Sequence, residues 1–223
     1  MKNKKKLLVL LLLLLLASAT VVTTAFAKYT ESKNVGGTAQ VAKFGITIGS
    51  GTGTLFQDEY KKNDNVIIKS AASGTNVMAP GASGSLTGIT VTGTPEVAAK
   101  VTITPTVTVS GWSYGTDPEV YYFPLTVKVG GTQVDLSSAE TDAAVITAIE
   151  NAIKTAMSNT TSWETAAGTA LSGISVPSIE WSWDFTADGA DAKDTELAKL
   201  TTAPKFGVSF AITAEQIKEL SAS

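Results

Sequence analysis

Residues 97–109 read VAAKVTITPTVTV and carry the most regular alternation in the chain. Apolar residues occupy every second position from Val97 to Val109, and threonine fills the positions between them from residue 102 onward. A period of two predicts a β-strand with one face in the core and the other in water. Pro105 lacks the N–H that a ladder needs, so we expect the strand to lie at a sheet edge, to bulge or to break there.

Alternating or apolar runs elsewhere predict further strands. They cover residues 42–48, 66–68, 89–91, 120–129, 132–136, 179–185 and 206–212. Gly130-Gly131 predicts a hairpin turn, and residues 179–185 place Ile179, Trp181, Trp183 and Phe185 on one face. Strands joined by turns without β-α-β alternation predict an all-β fold. We expect an antiparallel β-sandwich of jelly-roll type, forming a single domain at residues 38–223.

One stretch has a helical period instead. Ser137-Ser138-Ala139-Glu140 matches a capping box, and apolar residues then recur at helical spacing as far as Met157. The pattern predicts one inserted helix at about residues 138–157. It is either a crossover packed on the sandwich or a helix that binds a partner.

The chain begins with a basic and leucine-rich leader. Residues 1–6 read MKNKKK, residues 7–16 are almost all leucine, and Ala25 and Ala27 form a small-x-small cleavage site. This layout predicts a signal peptide at residues 1–27 and a secreted product, at the cell surface or in the extracellular matrix. A second interpretation is an uncleaved anchor, because residues 7–27 as a helix would span about 31 Å.

Composition excludes several classes of function. The 17 basic residues are all lysine, four of them in the leader, and they face 20 acidic residues. We therefore expect no nucleic-acid partner and, once the leader is removed, no membrane partner. Cysteine and histidine are both absent, which excludes the usual nucleophilic triads and zinc sites. We expect no enzymatic activity; a carboxylate-based hydrolase is the catalytic alternative.

Acidic residues cluster between residues 188 and 196, a stretch predicted to be a loop that precedes a short helical turn through Leu197 and Leu200. The cluster contains Asp188, Asp191, Asp194 and Glu196. Oxygen ligands suit calcium, although the spacing is not that of an EF-hand. The alternatives are a calcium site or a solvated loop, and we expect no other cofactor.

Four aromatic residues allow two interpretations. Trp112, Tyr114, Trp181 and Trp183 would form a platform for sugar rings if exposed, or part of the core if buried. The alternation around Trp181 and Trp183 favours the core.

A polar arm at residues 28–37 follows the leader. Its first eight residues are Lys28, Tyr29, Thr30, Glu31, Ser32, Lys33, Asn34 and Val35. The arm is either a frayed terminus or an extended peptide that completes a sheet edge of another molecule.

Short motifs along the whole chain resemble the TasA/camelysin (CalY) family of exported biofilm-matrix fibre proteins. The chain is similar in its lysine-leucine leader, in AKYT at residues 27–30, in AKFGI at residues 42–46 and in APGASG at residues 79–84. WSWDF at residues 181–185, followed by DTEL at residues 194–197, is similar to patterns in relatives of that family.

The resemblance implies a jelly-roll subunit that a SipW-type signal peptidase trims and that assembles with itself into biofilm fibres. It implies that residues 28–37 insert into the neighbouring subunit as a donor strand, with Tyr29 as the anchor. An accessory or anchoring matrix protein is a further partner in this picture. The metalloprotease activity described for camelysins would need histidine, which this chain lacks.

We therefore expect a secreted structural subunit that polymerises head to tail through its N-terminal arm. The alternative is a monomeric or membrane-anchored surface adhesin or carbohydrate-binding module. Buried tryptophans would count against that alternative.

Overall fold

A computed structural model of the protein describes residues 40–72, 74–186, 189–218 and 220. The predictions for the leader, for Ala25 and Ala27 and for the arm at residues 28–37 lie outside these ranges. All of the strands and helices described below belong to one compact unit, Phe44–Ser223.

The described elements are mostly strands. The strands are β1 (Ile46–Ile48), β2 (Glu59–Lys62), β3 (Asn65–Lys69), β4 (Ser83–Leu86), β5 (Val91–Gly93), β6 (Ala99–Ser110), β7 (Ser113–Tyr114), β8 (Val120–Tyr121), β9 (Leu125–Val129), β10 (Thr132–Gln133), β11 (Ser162–Thr165), β12 (Ile179–Trp183) and β13 (Lys205–Gln216). The helices are α1 (Asp142–Ala156) and α2 (Ala190–Ala198).

Two larger sheets organise these strands. One has the order β10-β9-β12-β4 and the other the order β11-β6-β13; β1-β5, β2-β3 and β7-β8 form smaller pairs. Every pair is antiparallel. The prediction of a mostly β, antiparallel fold is therefore confirmed.

The repeat at residues 97–109 forms β6, the central strand of the three-stranded sheet. Its apolar side chains at Val101, Ile103, Val107 and Val109 are buried. Those of Thr104, Thr106 and Thr108 are exposed. The predicted division between a core face and a water face is confirmed, because alternate side chains of a strand point to opposite faces.

Pro105 lies at a local edge, which was one of the three alternatives. Strand β11 pairs with β6 only at residues 99–102, and the N–H of Ile103 donates to the carbonyl of Thr161 at 2.8 Å. Amides of a strand point alternately to either side, so the nitrogen of Pro105 faces the same side as that of Ile103, beyond the start of β11. No ladder bond is lost there, and β6 continues unbroken to Ser110.

Helix α1 starts later than predicted. Its N-cap is Thr141, whose side chain accepts from the N–H of Ala144, so the predicted capping box at Ser137 is wrong. The hydroxyl and N–H of Ser137 instead donate to Asp135 Oδ1 at 2.7 and 3.0 Å. A serine held in this turn is not free to cap a helix.

The apolar face of α1 closes the side of β6 that β11 leaves unpaired. Asp142 Oδ2 accepts from the N–H of Gly111, next to the end of β6, and the helix continues towards Thr161, which bonds Ile103. Its residues Val145, Ile149 and Ile153 are fully buried, and the helix contacts β6 and β9. The helix is therefore packed on the domain, as expected.

Several sequence predictions need correction. The predicted strand at residues 42–48 is reduced to β1, because Gly45 has a φ of +57°. The strand at residues 120–129 is split into β8 and β9 around Pro124, which has no N–H to donate. The prediction of an acidic loop from residue 188 is wrong from Ala190 onward, where the chain forms helix α2 and buries Ala190 and Leu197.

The β2-β3 hairpin was not predicted from the sequence. Its turn residues Asn63 and Asp64 have φ values of 51° and 65°. Asparagine and aspartate tolerate this left-handed conformation, which a two-residue hairpin turn requires.

Trp181 connects the four-stranded sheet to the segment that contains Leu55. Its indole N–H donates to the carbonyl of Leu55 at 2.6 Å in a buried environment. Gly84 of β4 lies beside this bond, and a Cβ added there would be 1.9 Å from Leu55 O and 2.7 Å from Trp181 Nε1. The backbones pass so closely here that only glycine fits.

We predict that Gly84→Ala lowers the free energy of unfolding by about 1–3 kcal/mol or more, because the methyl group displaces Leu55 or Trp181. Gly207→Ala is the matched control: Gly207 also lies in a strand, and its added Cβ would meet only Thr108 Cβ at 3.7 Å. Urea denaturation followed by tryptophan fluorescence measures both. Equal stabilities of the two variants would contradict the close approach.

Candidate functional site

The predicted aromatic platform lies in the core. Trp112, Trp181 and Trp183 are 1%, 2% and 8% exposed, and Tyr114 is half-buried. Trp112 Nε1 donates to the carbonyl of Lys205 at 2.9 Å, and Trp183 Nε1 donates to Asp194 Oδ1 at 3.3 Å. The core interpretation is confirmed for the three tryptophans, whose rings and N–H groups are all engaged inside the protein.

Phe185 was predicted to share the buried face of β12, and that prediction is wrong. Its side chain is 67% exposed, because β12 ends at Trp183. The following residues turn away: Asp184 Oδ1 accepts from both the N–H and the hydroxyl of Thr186, at 2.8 and 3.0 Å. These bonds also lower the pKa of Asp184.

The three described acidic residues of the predicted calcium site, Asp191, Asp194 and Glu196, lie on helix α2, and the carboxylates of the last two have protein partners. Asp194 accepts from Trp183, and Glu196 forms an ion pair with Lys199 at 2.8 Å. Across the described ranges, no group of three acidic side chains is placed to hold a metal ion. Asp188 lies outside those ranges. Because that residue is not described, the calcium site at Asp188, Asp191, Asp194 and Glu196 stays a prediction.

Asp194 also faces Tyr122. Burial, and then the neighbouring Asp194 carboxylate, raise the pKa of Tyr122, and the ammonium of Lys193 lies 5.2 Å from the centre of its ring. Burial, and then the Asp142 carboxylate, likewise raise the pKa of Tyr121. Asp142 begins helix α1 and Asp194 lies in the middle of α2, so each helix places a carboxylate near one of these two tyrosines.

An apolar groove of about 620 Å³ lies between the start of β13, residues 76–80 and helix α2. Its apolar walls include Phe56, Val77, Met78, Pro80, Leu197 and Phe206. Asp194 also lines it, but accepts the bond from Trp183. Lys205 also lines the groove, and its side chain is exposed. The apolar walls can therefore take an apolar side chain while the ammonium of Lys205 stays in water.

A second groove, of about 460 Å³, is polar. It runs over the outer face of β4, β9 and β12 and is lined largely by hydroxyl groups. Lys128 and Glu180 oppose each other across this face. Exposed aromatic rings favour sugar binding, but the only aromatic residue in the lining of this groove is Trp181, which is buried.

Strand β13 is the end strand of its sheet in the described part of the chain. Its twelve residues pair with β6 along their whole length, and the opposite edge carries no further strand among the described residues. The groove lies at the Phe206 end of this edge. The alternation at residues 206–212 predicts this strand but gives no sign of its edge position, because position in a sheet depends on the pairing of the whole chain.

Among the described residues, no helix combines the length and apolar character needed to cross a membrane. Comparison of the chain with protein-family models, with curated proteins and with solved structures gave no match.

We predict that the free energy of unfolding falls as pH rises above about 10, the ordinary tyrosine pKa. Tyr122 has a raised pKa in the folded state, so its contribution to stability is complete below the unfolded pKa and is lost as pH rises through the folded pKa. Tyr122→Phe should make the fall shallower by up to about 1.4 kcal/mol per pH unit.

Urea denaturation at a series of pH values from 9 to 11.5 measures this fall for the wild type and the variant. Asp194→Asn tests the cause, since it removes the carboxylate that helps to raise the pKa of Tyr122. It should move the slope in the same direction, by a smaller amount. Identical slopes for wild type and Tyr122→Phe would contradict the prediction.

Proposed function

We propose that the protein is a secreted structural subunit that assembles head to tail into extracellular fibres by strand donation. The leader directs export, a signal peptidase of the SipW type removes residues 1–27, and residues 28–37 of one copy add to a sheet edge of the next. A contact between two different surfaces need not close into a ring, so it generates a filament.

One observation carries this proposal: the three-stranded sheet ends in β13, a twelve-residue strand with an open edge in the described part of the chain. A long open edge is a template for an added strand. The chain also offers a polar arm of ten residues, enough to run along such an edge. In this proposal the arm is the donor and the edge of β13 is the acceptor.

The resemblance to the TasA/camelysin family supports the same function. In this proposal the two large sheets form the two layers of a jelly-roll sandwich, and an accessory or anchoring matrix protein is an additional partner. The mostly antiparallel β architecture and the single hydrophobic cluster that joins residues of both sheets are compatible with that arrangement.

The adhesin alternative has less support. A sugar-binding platform would need exposed aromatic rings, and three of the four tryptophans are buried. The polar groove over β4, β9 and β12 is the surface that such a protein would use, and its lining gives hydrogen-bonding groups without an exposed ring.

We predict that purified protein beginning at Lys28 forms fibres, whereas protein beginning at Thr38 stays monomeric, because the second lacks the arm. Negative-stain electron microscopy and light scattering at several salt and calcium concentrations distinguish them. Circular dichroism of both proteins checks that removal of the arm leaves the fold intact.

Fibres from both proteins would overturn donation by the arm. Two monomers would overturn assembly by this chain alone, and binding assays with polysaccharides would then test the adhesin alternative.

A further inference from the structure

The hydrogen-bonding pattern of β13 identifies which of its backbone groups face outward. Ile217 N–H donates to the carbonyl of Ala98 at 2.9 Å, one step beyond the paired residues. Because bonded and non-bonded positions alternate along an antiparallel pair, the odd-numbered residues of β13 bond to β6. The even-numbered residues point their N–H and carbonyl groups away from it.

The outward groups form a continuous row. They belong to Phe206, Val208, Phe210, Ile212 and Ala214, whose outward groups have no hydrogen-bond partner among the described residues. The row is about 27 Å long at the rise of an antiparallel strand. Each residue supplies one donor and one acceptor to an incoming strand.

This edge lacks the usual protection against pairing. Natural edge strands are shortened, bulged, or interrupted by proline or inward-pointing charges. Strand β13 is long, its register with β6 has no irregularity, it contains no proline, and its charges are confined to Lys205 and Glu215 near its ends. Such an edge is suited to being paired.

The other edges in the described part of the chain are short or already bonded. Strand β11 has four residues and β10 has two. The outer side of β4 is occupied, because the N–H groups of Ser85 and Thr87 donate to the carbonyls of Thr54 and Thr52. Among these three edges and β13, only β13 offers a long row of open groups.

The arm matches this row in length and in the character of its two faces. Ten extended residues reach about 33 Å. In an extended arm, Thr30, Ser32 and Asn34 share one face, while Tyr29 and Val35 share the other. The water face of β13 carries the small, exposed side chains of Ser209, Ala211 and Thr213, beside which a small polar face fits.

The apolar face of the arm then lies on the core side of the edge, where Phe210 and Ile212 are only half-buried. The groove at the Phe206 end receives Val35 if the arm runs antiparallel to β13, or Tyr29 if it runs parallel. Between these two residues, Glu31 and Lys33 have stems long enough to keep their charges in water.

We propose that β13 is the acceptor edge for residues 28–37 of a second copy, and that the apolar groove beside Phe206 holds an aromatic or aliphatic side chain of that arm. This inference rests on the proposed fibre function. Each backbone hydrogen bond adds a small net stabilisation, and burial of one apolar side chain adds to it, so the row and the groove together favour a stable contact.

The absence of cysteine from the chain allows a direct test by disulfide cross-linking. We would mix single-cysteine variants of the protein beginning at Lys28: Thr30→Cys or Asn34→Cys in the arm, with Ser209→Cys or Thr213→Cys in β13. On the open edge these β13 residues lie at non-bonded positions, where opposed Cα atoms are about 4.5 Å apart, within the range of a disulfide.

We expect disulfide-linked pairs of an arm variant and a β13 variant after mild oxidation, identified by mass spectrometry of the linked peptides. Ser162→Cys is the matched control, because Ser162 is exposed on β11, at the opposite edge of the same sheet. Linkage to β13 should exceed linkage to Ser162 by about tenfold or more. Links 30–213 and 34–209 indicate an antiparallel arm, and links 30–209 and 34–213 a parallel one; both support the proposal.

Other outcomes overturn it. Fibres in the electron microscope together with linkage to Ser162, or with no linkage to β13, would remove β13 as the acceptor and leave the fibre function in place. Monomers without any intermolecular linkage would remove both. Mixed single-cysteine variants cannot cross-link within one chain, so an arm that folds back on its own β13 also counts against the proposal.

Discussion

The buried hydrogen bond from the Trp181 indole to the Leu55 carbonyl fixes the position of the segment that contains Leu55. The core is assembled on this segment. Trp181 lies on β12, which is paired on both sides, so its ring is held by two neighbouring strands. Phe56 follows Leu55 and stacks on Trp181 with ring centres 5.7 Å apart, then meets the edge of Phe206 at 5.8 Å. Two adjacent residues therefore join the four-stranded sheet to the end strand of the other sheet.

This aromatic chain continues through the core. Phe123 contacts Phe206 at 5.9 Å and Trp112 at 4.9 Å, and Trp112 contacts Trp183 at 5.7 Å. Such pairs add about 0.5–1.5 kcal/mol each to the burial of their area. Strand β13 is consequently held along one edge by β6, and its Phe206 is held by the rings of Phe56 and Phe123. The edge of β13 that is open among the described residues therefore lies on a supported strand, and the proposed addition of another strand would require little further ordering of β13.

The sequence was informative where the determining interactions are local. The alternation in β6 and β12 predicted their buried faces, and the helical period predicted α1, since both patterns depend on residues two to four positions apart. Phe185 and Ser137 were misjudged because a neighbouring aspartate binds the backbone and ends the pattern. Helix α2 was missed because its acidic residues, which looked like a solvated loop, include Asp194, which bonds to Trp183 across the structure.

The candidate site was the least predictable part, for a related reason. An edge is defined by which strands do not pair, and a groove by which segments meet, so neither leaves a pattern in nearby residues. The pairing of Phe206 with Val109 and the bond from Trp181 to Leu55 join residues that are far apart in the sequence, so periodicity cannot predict them. The element that our proposal makes complementary to this edge is visible in the sequence, as a short polar arm with one sizeable apolar residue near each end.

The edge of β13 that is open in the described part of the chain and the absence of cysteine impose opposite demands on this protein. Without cysteine the unit relies on packing, and a long unpaired edge would normally be removed to prevent aggregation. Removal is simple in chemical terms, because one lysine or proline in the middle of β13 would suffice. The middle of β13 instead reads GVSFAIT, uncharged and without proline. In our proposal this edge is the surface that accepts one specific strand; its water face is small and polar, and the groove at its end is apolar.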